Sequence, residues 1–71
     1  MKSAKKRQWV LSALASVPDT VWVEDLYLLL VRNGQRMHIR TVYDAVRAFE
    51  ASGLVRCHVE NRRTMVGLSV G

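Results

Sequence analysis

A length of 71 residues allows one small domain and no more. Hydrophobic residues make up 49% of the chain, enough for a packed core, and the single cysteine, Cys57, excludes an internal disulfide and a thiolate metal cage. Eleven Lys and Arg against six Asp and Glu give a formal charge of +5, which points to a polyanionic partner.

The chain opens on a basic run, Lys2, Lys5, Lys6 and Arg7, ahead of a mildly apolar stretch from Trp9 to Val17. Ala13-Leu14-Ala15 resembles a cleavage site, but Ser12 and Ser16 interrupt the apolar stretch. Val10, Leu14 and Val17 recur at helical spacing, so the segment reads as a helix and not as a secretory signal. The pattern predicts a helix from Ala4 to Ser16, with Ser3 as its cap, Val10, Ala13, Leu14 and Val17 on one face, and Pro18-Asp19 as its stop. The longest uncharged stretch, Gln8 to Pro18, is far short of the roughly 20 residues a membrane span needs. No membrane partner is expected, and a cytoplasmic location is.

A short extended piece, Val21-Trp22-Val23, precedes a second helix expected from Glu24 to Arg32. Glu24 and Asp25 sit in its first turn, where acids complement the helix dipole, and Asn33-Gly34 ends it. Leu26, Leu29 and Leu30 form its buried stripe, while Leu28 and Val31 extend the apolar surface beyond one face. A third helix is expected from Ile39 to Ala51. Ile39, Val42, Val46 and Phe49 line one side with Tyr43 at the edge, and Arg40, Asp44 and Arg47 line the other. Gly53 is placed to supply the left-handed residue after its last turn. Beyond it the period changes to two, in Val55 to Val59 and again in Thr64 to Val70, with Glu60-Asn61-Arg62-Arg63 as a polar connection.

This order predicts an α+β, mainly α, fold: a winged helix-turn-helix of three helices plus a C-terminal β-hairpin wing. Residues 1–71 form one domain, with a basic N-terminal arm at 1–7 and the wing at 54–70. The Val21 to Val23 piece adds a third strand to the hairpin. In such a fold a helix enters the major groove of DNA while neighbouring elements hold phosphates. The cations fall where that docking needs them: the arm, Arg36, Arg40 and Arg47 before and along the third helix, and Arg62 and Arg63 at the hairpin tip. Asp19, Glu24 and Asp25 cluster at the start of the second helix, away from the expected groove.

Thr41-Val42-Tyr43, then Phe49-Glu50, then Gly53-Leu54-Val55 resemble the recognition-helix signature of the ferric-uptake-regulator family. Glu24-Asp25-Leu26-Tyr27 is similar to the acidic, Tyr-containing start of that family's preceding helix. The resemblance runs from about Gln8 to Val70 and covers the family's DNA-binding half, not its dimerisation and metal-sensing half. It implies that Tyr43 touches DNA and that the N-terminal Lys and Arg lie near the backbone. Three positions depart from the pattern: Asp44 stands where Arg is usual, His38 where a small capping residue is common, and Trp22 where Thr is frequent.

The candidate DNA-binding residues are therefore Lys5, Lys6, Arg7, Arg36, Arg40, Thr41, Tyr43, Asp44, Arg47, Arg62 and Arg63. Arg40 and Arg47 suit guanine O6 and N7, and Asp44 suits either cytosine N4 or a salt bridge to Arg40 or Arg47, the salt bridge being the commoner outcome. Arg62 and Arg63 suit a minor groove or phosphates, since adjacent arginines in a turn gain little from a structural role. Cys57 and His58 are neighbours in a strand and point to opposite faces, so no metal site is expected of them or of His38. Cys57 falls in phase with Val55 and Val59 as a buried thiol. Trp9 and Trp22 are expected to close the core.

No nucleophile, base and orienting acid stand out together and no glycine-rich phosphate loop is present, so no enzymatic activity is expected. The composite expectation is a sequence-specific double-stranded DNA binder, a small prokaryotic, phage or plasmid transcriptional regulator. It would act as a homodimer or cooperative array and need no small-molecule cofactor. The alternatives are a winged-helix protein-interaction adaptor or inhibitor and an excisionase-like architectural protein.

Overall fold

Helical periodicity and two glycine stops account for most of the architecture. The computed structural model describes residues 2–69, and Val70, expected at the end of the wing, lies outside them. The elements are α1 (Lys2–Ser16), β1 (Thr20–Trp22), α2 (Val23–Arg32), α3 (Ile39–Ala51), β2 (Val55–Glu60) and β3 (Arg63–Leu68). The basic run expected as an arm is instead the first turns of α1, and Ser3, expected as the cap, lies inside that helix. Lys and Ala are good helix formers, so nothing in the run breaks the helix. At the other end Ser16 Oγ donates to the Ala13 carbonyl at 2.7 Å, and Pro18, which lacks an N–H, follows.

Helices α2 and α3 end alike. Gly34 and Gly53 adopt φ of 77° and 79°. Gln35 N donates to Leu30 O at 2.9 Å and Gly34 N to Val31 O at 3.0 Å; Leu54 N donates to Phe49 O at 2.9 Å and Gly53 N to Glu50 O at 3.0 Å. These are paired Schellman closures, and only glycine takes the left-handed step without steric cost. The starts differ. Neither Trp22 nor His38 caps its helix with a side chain; α2 has Glu24 and Asp25 in its first turn, and α3 has no acid there.

The three helices and the sheet meet in one core. Val10 and Leu14 of α1, Leu26 and Leu30 of α2, Val42 and Val46 of α3, and Val55 and Val66 of the sheet are almost wholly buried. Each such side chain contributes roughly 1.5–3 kcal/mol by leaving water. Met37, from the connection between α2 and α3, is buried with them, while Ile39, expected in the stripe, stays 37% exposed at the start of α3. Val17, Leu29 and Phe49 are half-buried.

The sheet is antiparallel in the order β1-β3-β2. The short strand does join the hairpin, one residue earlier than expected. Val21, Val66 and Cys57 align across its inner face, and Trp22, Met65 and His58 across the outer one. Cys57 is half-buried, and burial first, then the nearby Glu50 carboxylate, push its thiol pKa up. Val59 shares its face but reaches past the helices and is 66% exposed, so the inner face is not buried along its full length. Thr20 Cγ2 and the Asp19 carbonyl would lie 2.9 and 3.2 Å from a Cβ at Gly67, so β1 approaches β3 only because that residue has no side chain.

The hairpin connection is shorter than expected. Glu60 pairs with Arg63, leaving a two-residue turn, Asn61-Arg62, with φ of 52° and 66°. Two consecutive left-handed residues match the twist of the strands, and Asn tolerates the first place better than Arg tolerates the second. Two outcomes follow for stability, each read from urea denaturation. Arg62→Gly raises it by about 0.5–1 kcal/mol by relieving the turn, and Gly67→Ala lowers it by about 1–3 kcal/mol by forcing β1 away from β3.

Candidate nucleic-acid interface

The outer face of α3 is set by what its inner face buries. With Val42, Ala45 and Val46 in the core, Arg40, Asp44 and Arg47 project into solvent. Together with Ile39 and the half-buried Tyr43 they line an open concavity of about 430 Å³. Thr41 is half-buried and lies on the opposite flank of the helix. The ion pair expected for Asp44 does not form. Among the described residues the side-chain ion pairs are His58 with Glu60 at 3.8 Å and Arg63 with Glu24 at 3.7 Å. Arg40, Asp44 and Arg47 thus stand exposed with their charges uncommitted.

A second group assembles from distant segments. Lys6 of α1, Tyr27 and Val31 of α2, and Arg36, Met37 and His38 of the connection line a concavity of about 520 Å³ beside the start of α3. Sequence spacing does not reveal this convergence, and it adds His38 to the candidates. The α3 N-terminus next to it carries neither a side-chain cap nor an acid in its first turn. Its partial positive charge therefore adds to the local cations. Lys5 and Arg7 are exposed elsewhere on α1, with Lys5 Nζ 5.9 Å from the centre of the Trp9 ring.

The two wing arginines separate. Arg62 is exposed at the turn. The Arg63 guanidinium stacks 4.3 Å from the centre of the Trp22 ring, and its Nε lies 3.7 Å from Glu24 Oε1. β1 pairs Trp22 with Met65, two residues from Arg63 on the same strand face, which brings the ring beneath the arginine. Trp22, expected to close the core, serves instead as a platform for Arg63, and Glu24, expected away from the groove, is the carboxylate nearest that guanidinium. The Glu24 Oε1 atom is covered and accepts no hydrogen bond, so Arg63 supplies its balancing charge. Stack and ion pair together are worth on the order of 1 kcal/mol at this exposure.

Residues 1–67 match the ferric uptake regulator family. Two solved structures are similar in sequence and fold. The ferric uptake regulator from Pseudomonas aeruginosa, described with manganese, shares 29% identity at a TM-score of 0.84, over 93% of this chain and 51% of that one. The Vibrio cholerae ferric uptake regulator, described as showing a rearrangement of its DNA-binding domains, shares 28% identity at a TM-score of 0.82, over 92% and 51%. The chain spans about half the length of these relatives. No curated protein matches it.

The expectation of no small-molecule or ion cofactor is at odds with the manganese described for the Pseudomonas protein. The donors described in this chain do not fit such an ion. No group of three or more His, Cys, Asp or Glu side chains among them is placed to hold a metal, and Cys57 and His58 face opposite sides of the sheet. Also among the described residues, no helix is long and apolar enough to cross a membrane.

The wing contact makes a direct prediction. Arg63→Ala and Trp22→Ala each lower stability by about 1 kcal/mol, and the double variant loses less than the sum, because each substitution removes the same stack. Denaturant midpoints measure both, with Arg62→Ala as a control that costs nothing.

Proposed function

The chain belongs to the ferric uptake regulator family, and from that premise we propose that it is a DNA-binding module of a transcriptional regulator. One observation carries this most: Arg40, Asp44 and Arg47 are exposed, and in no ion pair among the described residues, on the outer side of a helix whose inner side is the core. An α-helix fits the major groove, where base edges are distinguishable.

In this reading α3 lies in the major groove, with Arg40 and Arg47 donating to guanine O6 and N7. Asp44 accepts from cytosine N4. With no neighbouring arginine neutralising it, its carboxylate also repels phosphates and so penalises binding out of register. Tyr43 and Thr41 flank the reading face and contact the two walls of the groove. Lys6, Arg36 and His38, with the uncapped start of α3, hold one stretch of backbone, because amide N–H groups and cations converge there. Lys5 and Arg7 add charge along α1. Arg62 reaches phosphates or the minor groove from the wing tip, while Arg63 braces the wing and acts through position. One module covers few base pairs, so sequence specificity requires two copies on paired sites, as a homodimer or a cooperative array.

A phage or plasmid origin, an adaptor role and an excisionase-like role have no observation in their favour.

Fluorescence anisotropy on a selected duplex and on random duplexes, repeated across salt concentrations, tests it. Arg47→Ala loses about 1–3 kcal/mol of discrimination at one base pair. Lys6→Ala weakens every duplex alike and lowers the log–log salt slope by about 0.9. Asp44→Ala tightens random duplexes and flattens the preference. Binding that is absent at low salt, or insensitive to salt, contradicts the proposal.

A further inference from the structure

Ile39 is out of place on a helix that otherwise sorts its residues cleanly. Its spacing groups it with Val42, Val46 and Phe49, yet those three are buried or half-buried while Ile39 is 37% exposed. It is the first residue of α3. At about 100° per residue, Ile39 and Tyr43 share one flank, one turn apart, between buried Val46 and the charged row of Arg40, Asp44 and Arg47. Both line the same concavity of about 430 Å³ as that row.

An exposed aliphatic residue alone is ordinary. This one stands in the first turn of the helix assigned to the major groove, where side chains of such a helix reach base edges. Its neighbours in the concavity can read bases only through hydrogen bonds and charge. The major groove offers an aliphatic side chain one distinctive partner, because thymine alone among the four bases carries a methyl group there.

We propose that Ile39 is a specificity-determining residue that reads thymine by packing against its C5-methyl group. The proposal rests on the DNA-binding reading of α3 and adds a base that none of the charged side chains selects. Discrimination comes from burial: side chain and methyl leave water together when thymine is present. With cytosine in its place, Ile39 covers the N4 amino group without supplying an acceptor, which costs binding. Adjacent Cα atoms lie about 3.8 Å apart and base pairs about 3.4 Å, so the thymine falls within a step or two of the pair that Arg40 reads. Tyr43, on the same flank, offers the methyl a second apolar partner, so both side chains enter the test.

Replacing thymine by deoxyuridine removes the C5-methyl and leaves every hydrogen-bonding group of the base pair in place. Fluorescence anisotropy follows the whole chain on the selected duplex and on duplexes in which each thymine in turn is deoxyuridine. The unaltered chain is compared with Ile39→Ala, Ile39→Val and Tyr43→Ala. The expected result is one thymine near the Arg40 base pair whose replacement weakens binding of the unaltered chain about fourfold. Ile39→Ala weakens the thymine duplex by a similar factor and no longer distinguishes the two bases. Ile39→Val keeps part of the distinction, and Tyr43→Ala keeps it in full. Such coupling between side chain and methyl is not produced by a merely structural role. Far-UV circular dichroism confirms folding, and Ile39→Val, which loses a single methylene, keeps the comparison available should Ile39→Ala unfold. Three results overturn the proposal: an unaltered chain indifferent to deoxyuridine at every thymine, undiminished sensitivity in Ile39→Ala, or sensitivity lost only in Tyr43→Ala. In each of these the duplex is still bound and the DNA-binding reading stands, whereas a chain that binds no duplex at low salt ends both.

Discussion

Burial of Val42, Ala45 and Val46 leaves α3 only one orientation. These residues pack against α1 and α2, so turning the helix to hide Arg40 or Arg47 would expose apolar surface and place an unpaired guanidinium in the core. Burying such a charge costs several kcal/mol, far more than the difference between exposed surface arrangements. The outer face of α3 is thus cationic by necessity of the fold, and rigid because its inner face is close-packed. The closures at Gly34 and Gly53 fix where α2 stops and where the chain leaves α3 for the wing.

The wing depends on a different kind of constraint. A three-stranded sheet with a three-residue outer strand holds its tip only weakly, and the tip turn itself is strained at Arg62. The Trp22–Arg63–Glu24 cluster ties the tip end of the hairpin to the start of α2 across that short strand. Arg63 is held by this cluster, while its neighbour Arg62 stays exposed at the turn. The left-handed conformation of Arg62 is a stability cost at a position where glycine would relax the backbone.

Much of the fold was legible from local pattern. The limits of α3 agree with expectation because a strong 3.6-residue period ends at a glycine suited to the left-handed step, and the Asn33-Gly34 stop holds for the same reason. The switch to a period of two gave the wing. Features that depend on tertiary register were not legible. The two-residue turn has no clear sequence signal because Asn61-Arg62 is not a typical pair for such a turn, and polar Glu60 and Arg63 look like loop although they pair with each other. The meeting of Lys6 with Arg36 and His38 joins α1 to a connection thirty residues away. The stack of Arg63 on Trp22 needs the β1–β3 register, and the covering of Met37 needs all three helices in place. Of the candidate site, the α3 residues came from sequence; the grouping of the remaining cations, and the contacts of Arg63 with Trp22 and Glu24, came only with the coordinates.

The central claim is that one side of this module faces DNA: the outer face of α3, the Lys6–Arg36–His38 cluster and the wing tip. Backbone amide chemical shifts, followed by NMR as a selected duplex is added, test it residue by residue. The account predicts the largest changes at Arg36, His38, Arg40, Tyr43, Asp44, Arg47 and Arg62, with small ones around Thr20 and Gly67 at the far end of the sheet. Changes centred on the sheet's outer face, with α3 silent, would contradict it.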